Sequence, residues 1–177
     1  IPVLGILSWA SARYIPPTGS AAPDLVIDRN IVTSTNTLVS DLRTDKRIWQ
    51  GALITSWFWL VGAAVLALLP GLIKESLNGD PNVYALALFA FAVAVAIGSV
   101  AAAKASKQRP NLALVPIGAL LMGLFAFDLA WVSSSLTPAT SPLGISDVLA
   151  SFTGLRMLFD LAGLAFAGGL YIVPSFA

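Results

Sequence analysis

VYALALFAFAVAVAIGSVAAA, residues 83–103, contains no charged side chain. A bilayer span demands a run of this kind, because about 20 apolar residues at 1.5 Å rise each cross the hydrocarbon core. The apolar positions form one continuous block rather than recurring at helical or strand period, so a half-buried element of a soluble domain does not account for them.

Three further runs read the same way. Residues 51–73 are uncharged and end at Lys74-Glu75, after Pro70-Gly71, a pair expected to kink or fray the last turn. Residues 112–132 carry one charge, Asp128, and residues 152–173 carry Arg156 and Asp160. The links between them are polar: an Asn-Gly-Asp-Pro turn signal at 78–81, a break at Lys104, Lys107, Arg109 and Pro110, and a Ser/Thr/Pro-rich stretch over 133–147. The whole chain agrees, being 57% hydrophobic and 11% charged with a mean hydropathy of +0.84, against about 25% charged for a soluble domain. The fold class is therefore an all-α polytopic membrane protein.

Residues 1–9, IPVLGILSW, are too short to cross and read as the last turns of a membrane helix that starts upstream. No basic segment precedes them as in a signal peptide. The chain is thus expected to be an internal piece of a larger protein, four spans and a partial one. Residues 10–50 form a polar loop, broken early by Pro16, Pro17, Gly19 and Pro23. Its later half differs. Ile31, Val32, Leu38, Val39 and Leu42 fall on one helical face, which predicts an amphipathic helix over 31–43 with Asp28 or Asn30 as N-cap. That helix lies on the membrane surface or packs on its own protein.

Lys and Arg in the loops set the orientation. Residues 10–50 hold Arg13, Arg29, Arg43, Lys46 and Arg47; the next link holds Lys74; the next holds Lys104, Lys107 and Arg109; the link 133–151 holds none. This alternation places 10–50 and 103–111 in the cytoplasm and the other two links outside.

The chain has no Cys and no His. Disulfides, thiol nucleophiles, a Ser-His-Asp triad and the commonest zinc-ligand sets are excluded. No catalytic residue, metal or cofactor is expected here, and a net charge of +1 gives no basic field for nucleic acid. Ala94, Gly98 and Ala102, Gly163 with Ala167, and Ala165 with Gly169 stand at helix-packing spacing and point to a bundle. Trp49 and Trp131, near span ends, read as interfacial anchors; Trp57 and Trp59, deeper, are expected to pack inside it.

Ionisable groups within spans need compensation. Asp128 lies four residues before Val132 in a helix running outward, and Arg156 four residues after Phe152 in one running inward. Both therefore sit about 6 Å inside the outer boundary. Asp160 is one turn deeper, on the face of Arg156. Three readings stay open: snorkelling to the interface, an ion pair between helices, or a charge cluster facing a central cavity.

Leu42-Arg43-Thr44-Asp45-Lys46-Arg47 followed by Ile54-Thr55-Ser56-Trp57-Phe58-Trp59-Leu60-Val61-Gly62 resembles the start of the seventh helix of bacterial lysophospholipid transporters of the major facilitator superfamily. Gly168-Gly169-Leu170-Tyr171-Ile172-Val173-Pro174 resembles that family's tenth helix. The resemblance implies that the four spans are helices seven to ten of a twelve-helix fold, with 10–50 the central cytoplasmic loop. It implies movement of lysophospholipid across the bacterial inner membrane for re-acylation. The partners would then be membrane lipids, the lysophospholipid substrate and the remaining helices of the same transporter, with no activity from four helices alone. Some relatives are fused to an acyltransferase and an acyl-carrier-protein ligase, so the membrane region of such an enzyme is an alternative; a major facilitator transporter of another solute, or a small four-helix scaffold, are others. Relatives can carry a basic residue a turn or two after the Phe-Trp pair, but residues 61–69 have none. Either the head-group chemistry then differs here or another residue, such as Arg156, meets the phosphate, with Asp128 or Asp160 forming or breaking a pair as the transporter changes state.

Overall fold

The computed structural model describes residues 2–15, 30–106 and 111–175. Pro16, Pro17, Gly19, Pro23, Asp28 and Arg29, and Lys107, Arg109 and Pro110 of the third break, lie outside them. Two compact units divide the chain, Ile1–Thr44 and Asp45–Ala177.

The first unit holds α1 (Pro2–Ala12) and α2 (Ile31–Thr44). The Arg13 guanidinium stacks 4.6 Å over the ring of Trp9. Asn30 caps α2: its Oδ1 accepts from the backbone N–H groups of Val32 at 3.1 Å and Thr33 at 3.4 Å, filling donors that the first helical turn leaves open. No residue of α2 is buried, and Ile31, Val32 and Leu38 are all exposed.

The second unit is a bundle of α3 (Lys46–Gly71), a π-helical turn (Leu72–Ser76), α4 (Pro81–Ser106), α5 (Leu114–Ser134), α6 (Ile145–Ala150) and α7 (Phe152–Ser175). Among the described residues there is no strand, and four helices are long and apolar enough to span a membrane. The chain is an all-α polytopic membrane protein.

Helix α3 begins before its apolar run, so the loop expected to extend to residue 50 ends at Asp45. The cause is a cap: Asp45 Oδ1 accepts from Arg47 N at 2.8 Å and Ile48 N at 3.5 Å. At the other end Pro70 has no N–H to offer the carbonyl one turn back, and the helix widens into the π turn directly after Gly71. Asn78 then takes a left-handed conformation, φ 53°, which asparagine tolerates better than most residues. Gly79 donates back to the Ile73 carbonyl at 2.9 Å, and a Cβ here would stand 2.8 Å from the Ile73 side chain. Asp80 caps α4 through Asn82 N and Val83 N at 2.8 and 2.9 Å, with Pro81 at the first helical position. The Val83 N–H and the Asn82 amide hold the Asp80 carboxyl below the ordinary carboxylate range.

The link 133–151, read from sequence as a polar stretch rich in Ser, Thr and Pro, contains the short helix α6; Asp147 folds back to accept the Gly144 N–H at 2.9 Å. This link also joins the turn before α4. Asp80 N donates to Leu143 O at 3.0 Å, Leu143 N donates to Asn78 O at 2.9 Å, and Asn78 Nδ2 donates to Ala139 O at 2.9 Å. Links 74–82 and 133–151 therefore occupy one end of the bundle. Beneath them lies a core of Leu69, Ile73, Leu77, Val83, Ala87, Val132, Val148, Met157 and Leu161.

Helix α7 is the centre of the unit: 61% of an apolar 18-residue stretch within it is buried, against 6%, 22% and 11% of the corresponding stretches of α3, α4 and α5. Helix α4 reaches it through paired glycines. A Cβ on Gly98 would overlap the Phe166 backbone carbonyl, and one on Gly169 would stand 2.6 Å from Ser99 N and Val95 O. Such backbone approach is the packing that lipid, offering no hydrophobic drive, leaves to helix pairs.

Helix α3 meets α7 along one face, with Phe58 over Gly168 and the Tyr171 hydroxyl donating to Ile54 O at 3.1 Å. Trp57 and Trp59 are not inside the bundle as expected but 61% and 62% exposed. Each is rotated about 100° from Phe58 along the helix, so docking through Phe58 turns both outward.

The hydrogen-bonded loop end predicts which sites share a membrane face. Because the native chain has no cysteine, Ser76→Cys, in the π turn before α4, and Ser106→Cys, at the far end of α4, are clean reporters. An impermeant maleimide should reach them from opposite sides; labelling of both from one side would overturn this topology.

Candidate functional site

Ionisable side chains enter the spans of the second unit at α5 and α7. On α7, Arg156 and Asp160 are one turn apart, and α5 brings Asp128 against them. Arg156 Nε donates to Asp128 Oδ2 at 2.9 Å and Nη2 to Asp128 Oδ1 at 2.5 Å. Two parallel bonds make the forked geometry that matches a planar guanidinium to a carboxylate, and equally to a phosphate. The side chains keep 41% and 37% of their surface open. Level depth made this meeting possible; the crossing of α5 and α7 made it a bond.

Asp160 is placed differently. It is 3% exposed, and its Oδ2 has no hydrogen-bond partner among the described residues. Buried Met157 and Leu161 flank it on α7, and the charges of Asp128 and Arg156 act on it. All three residues singled out from sequence thus belong to one cluster, in which Asp128 holds the Arg156 guanidinium and also interacts with the Asp160 carboxyl behind it.

A second feature had no signal in the sequence. Helices α3, α4, α5 and α7 line a half-open cavity of about 490 Å³, whose wall includes Phe58, Leu66, Phe91, Met122, Ile172 and the edge of the exposed Trp59, with no charged residue in it. Leu164 also lines it and stands one turn from Asp160. On one side of the cavity α3 meets α7 through Phe58 and Tyr171, whose rings stack with centroids 6.0 Å apart and planes at 13°. Phe58 and the Gly168–Tyr171 stretch, distant in sequence, therefore form one wall.

Comparison with protein-family models, with curated proteins and with solved structures found no match for this chain. What the site can do chemically follows from its geometry. Among the described residues no group of three His, Cys, Asp or Glu side chains could hold a metal ion. The cluster offers instead an arginine fork whose partner can be exchanged, partly open to water, with a deep acid behind it and an apolar cavity one turn further along α7.

Proposed function

We propose that the chain is part of a secondary transporter of the major facilitator type, moving lysophospholipid across the bacterial inner membrane for re-acylation. The observation that carries this reading is the Arg156–Asp128 fork: a guanidinium held in the membrane by a carboxylate that a phosphate can replace. Support also comes from the apolar cavity beyond it. A ligand with one phosphate and one acyl chain matches a site whose polar part is small and whose remainder is greasy. The partly open fork would admit the head group from the loop end, and exchange of Asp128 for phosphate would free a carboxylate as the transporter changes state.

The test is uptake of fluorescent lysophosphatidylethanolamine into bacterial inner-membrane vesicles carrying the full-length transporter of which this chain is part, beside a monoacylglycerol of the same chain length. Uptake of the phospholipid should exceed that of the phosphate-free lipid by about tenfold or more, the scale of one lost charge-assisted contact. Equal uptake of both, or uptake no greater than in vesicles lacking the protein, would remove this function.

A further inference from the structure

Arg156 gives Nε and Nη2 to Asp128, while Asp160, 3% exposed and one turn inward on the same helix, keeps a buried carboxyl oxygen without a described partner. If both acids were ionised, the cluster would carry net negative charge within spanning helices, where uncompensated charge is costly. One positive charge is missing. We propose that Asp160 is an exchangeable proton site, and that its occupancy decides whether Arg156 holds Asp128 or Asp160.

The step balances simply. A hydronium ion gives its proton to Asp160 Oδ2, forming a carboxylic acid and water, and Arg156 stays on Asp128. When the acid returns the proton to water, the guanidinium swings to Asp160, which is within its reach at i+4 spacing, and Asp128 is released. No bond except O–H forms or breaks.

A proton suits the site better than a metal cation. Hard cations take six or more oxygen ligands, whereas Asp160 lies between Met157, Leu161 and Leu164, all buried and apolar. The elements packed on α7 bring few other charges: Asp128 comes from α5; Asp147 of α6 is engaged by Gly144 N–H; Tyr84 of α4 packs on the apolar core; Lys74 and Glu75 of the π turn are exposed. The role of this proton in driving transport rests on the function proposed above, but the proton site itself does not.

Infrared difference spectroscopy of the protein in lipid vesicles, titrated from alkaline to acidic pH, tests the proposal. A protonated-carboxyl C=O band should appear, shift in heavy water, and vanish in Asp160→Asn. Asp160→Glu should restore it at a shifted frequency, which also serves if the amide variant misfolds. In Asp128→Asn a single carboxylate remains for the guanidinium, so the band should appear only at more acidic pH. The proposal is overturned by absence of the band, by its persistence in Asp160→Asn, by its indifference to Asp128→Asn, or by its displacement with sodium at constant pH. An intact band in vesicles of the full-length transporter that take up no lysophospholipid would instead overturn the transporter reading and leave the proton site standing.

Discussion

Gly98→Leu should leave α4 unable to seat on α7 and cost the bundle its fold. The Cβ alone would overlap the Phe166 carbonyl, and that obstacle is backbone, which cannot rotate away as a side-chain tip can. Gly169 answers it from the other helix, with backbone atoms of Val95 and Ser99 against any Cβ there. Overpacking of this kind costs about 1–3 kcal/mol for small insertions and more when backbone must move. Gly98→Ala and Gly169→Ala should therefore lower thermal stability in detergent, and the leucine variants should fail to give a monodisperse protein. Gly62→Ala, with nothing within 4 Å of the added methyl, serves as control on α3. Wild-type melting of both alanine variants would show that α4 and α7 do not cross at these glycines.

If the proposed function holds, removal of Arg156 from the full-length transporter should reduce lysophospholipid transport by about tenfold or more, since a charged hydrogen-bonding group is lost from the proposed exchange step. Asp128→Ala should impair it as well, leaving the guanidinium without its forked partner. The exchanged pair Asp128→Arg with Arg156→Asp separates two roles. If the pair serves only to join α5 and α7, the swap should recover both stability and transport. If Arg156 receives the phosphate, stability should return while transport stays low, because the cation now projects from α5 and Asp160 has lost its neighbour at i−4. Wild-type transport by both alanine variants would mean that the two side chains merely reach toward the interface.

The four apolar runs were legible in sequence because a bilayer imposes its requirement residue by residue. Every position in a span must be compatible with hydrocarbon or be compensated, and that demand acts on the local chain. Helix starts follow from equally local chemistry, as the caps by Asn30, Asp45 and Asp80 illustrate. Of these only Asn30 was named from sequence, beside Asp28, and Asp45 starts α3 five residues before its apolar run begins. Helix α6 escaped notice because six residues that pack Val148 against Gly154 need neither length nor periodicity.

Which helix becomes the centre is a different kind of question. All four spans are apolar all round, so none advertises the face it will bury, and α7 was distinguished only by its two charges. The same uniformity misplaced Trp57 and Trp59: one residue of rotation about Phe58 separates the packed face of α3 from the open one. Small-residue spacing proposed bundle contacts without naming partners, and the pairing of Gly98 with Gly169 emerged only from the crossing of α4 and α7. Rise per residue sufficed to put Asp128 and Arg156 at one depth. Their fork, the burial of Asp160 and the cavity beside Leu164 depend on azimuth and on three neighbouring helices at once. The sequence by itself thus determined that the chain crosses a membrane as helices and where it does so, since those are properties of contiguous residues. Tertiary structure alone decided which faces meet, because in a uniformly apolar span that choice is made by shape and by a few polar contacts between segments remote in the chain.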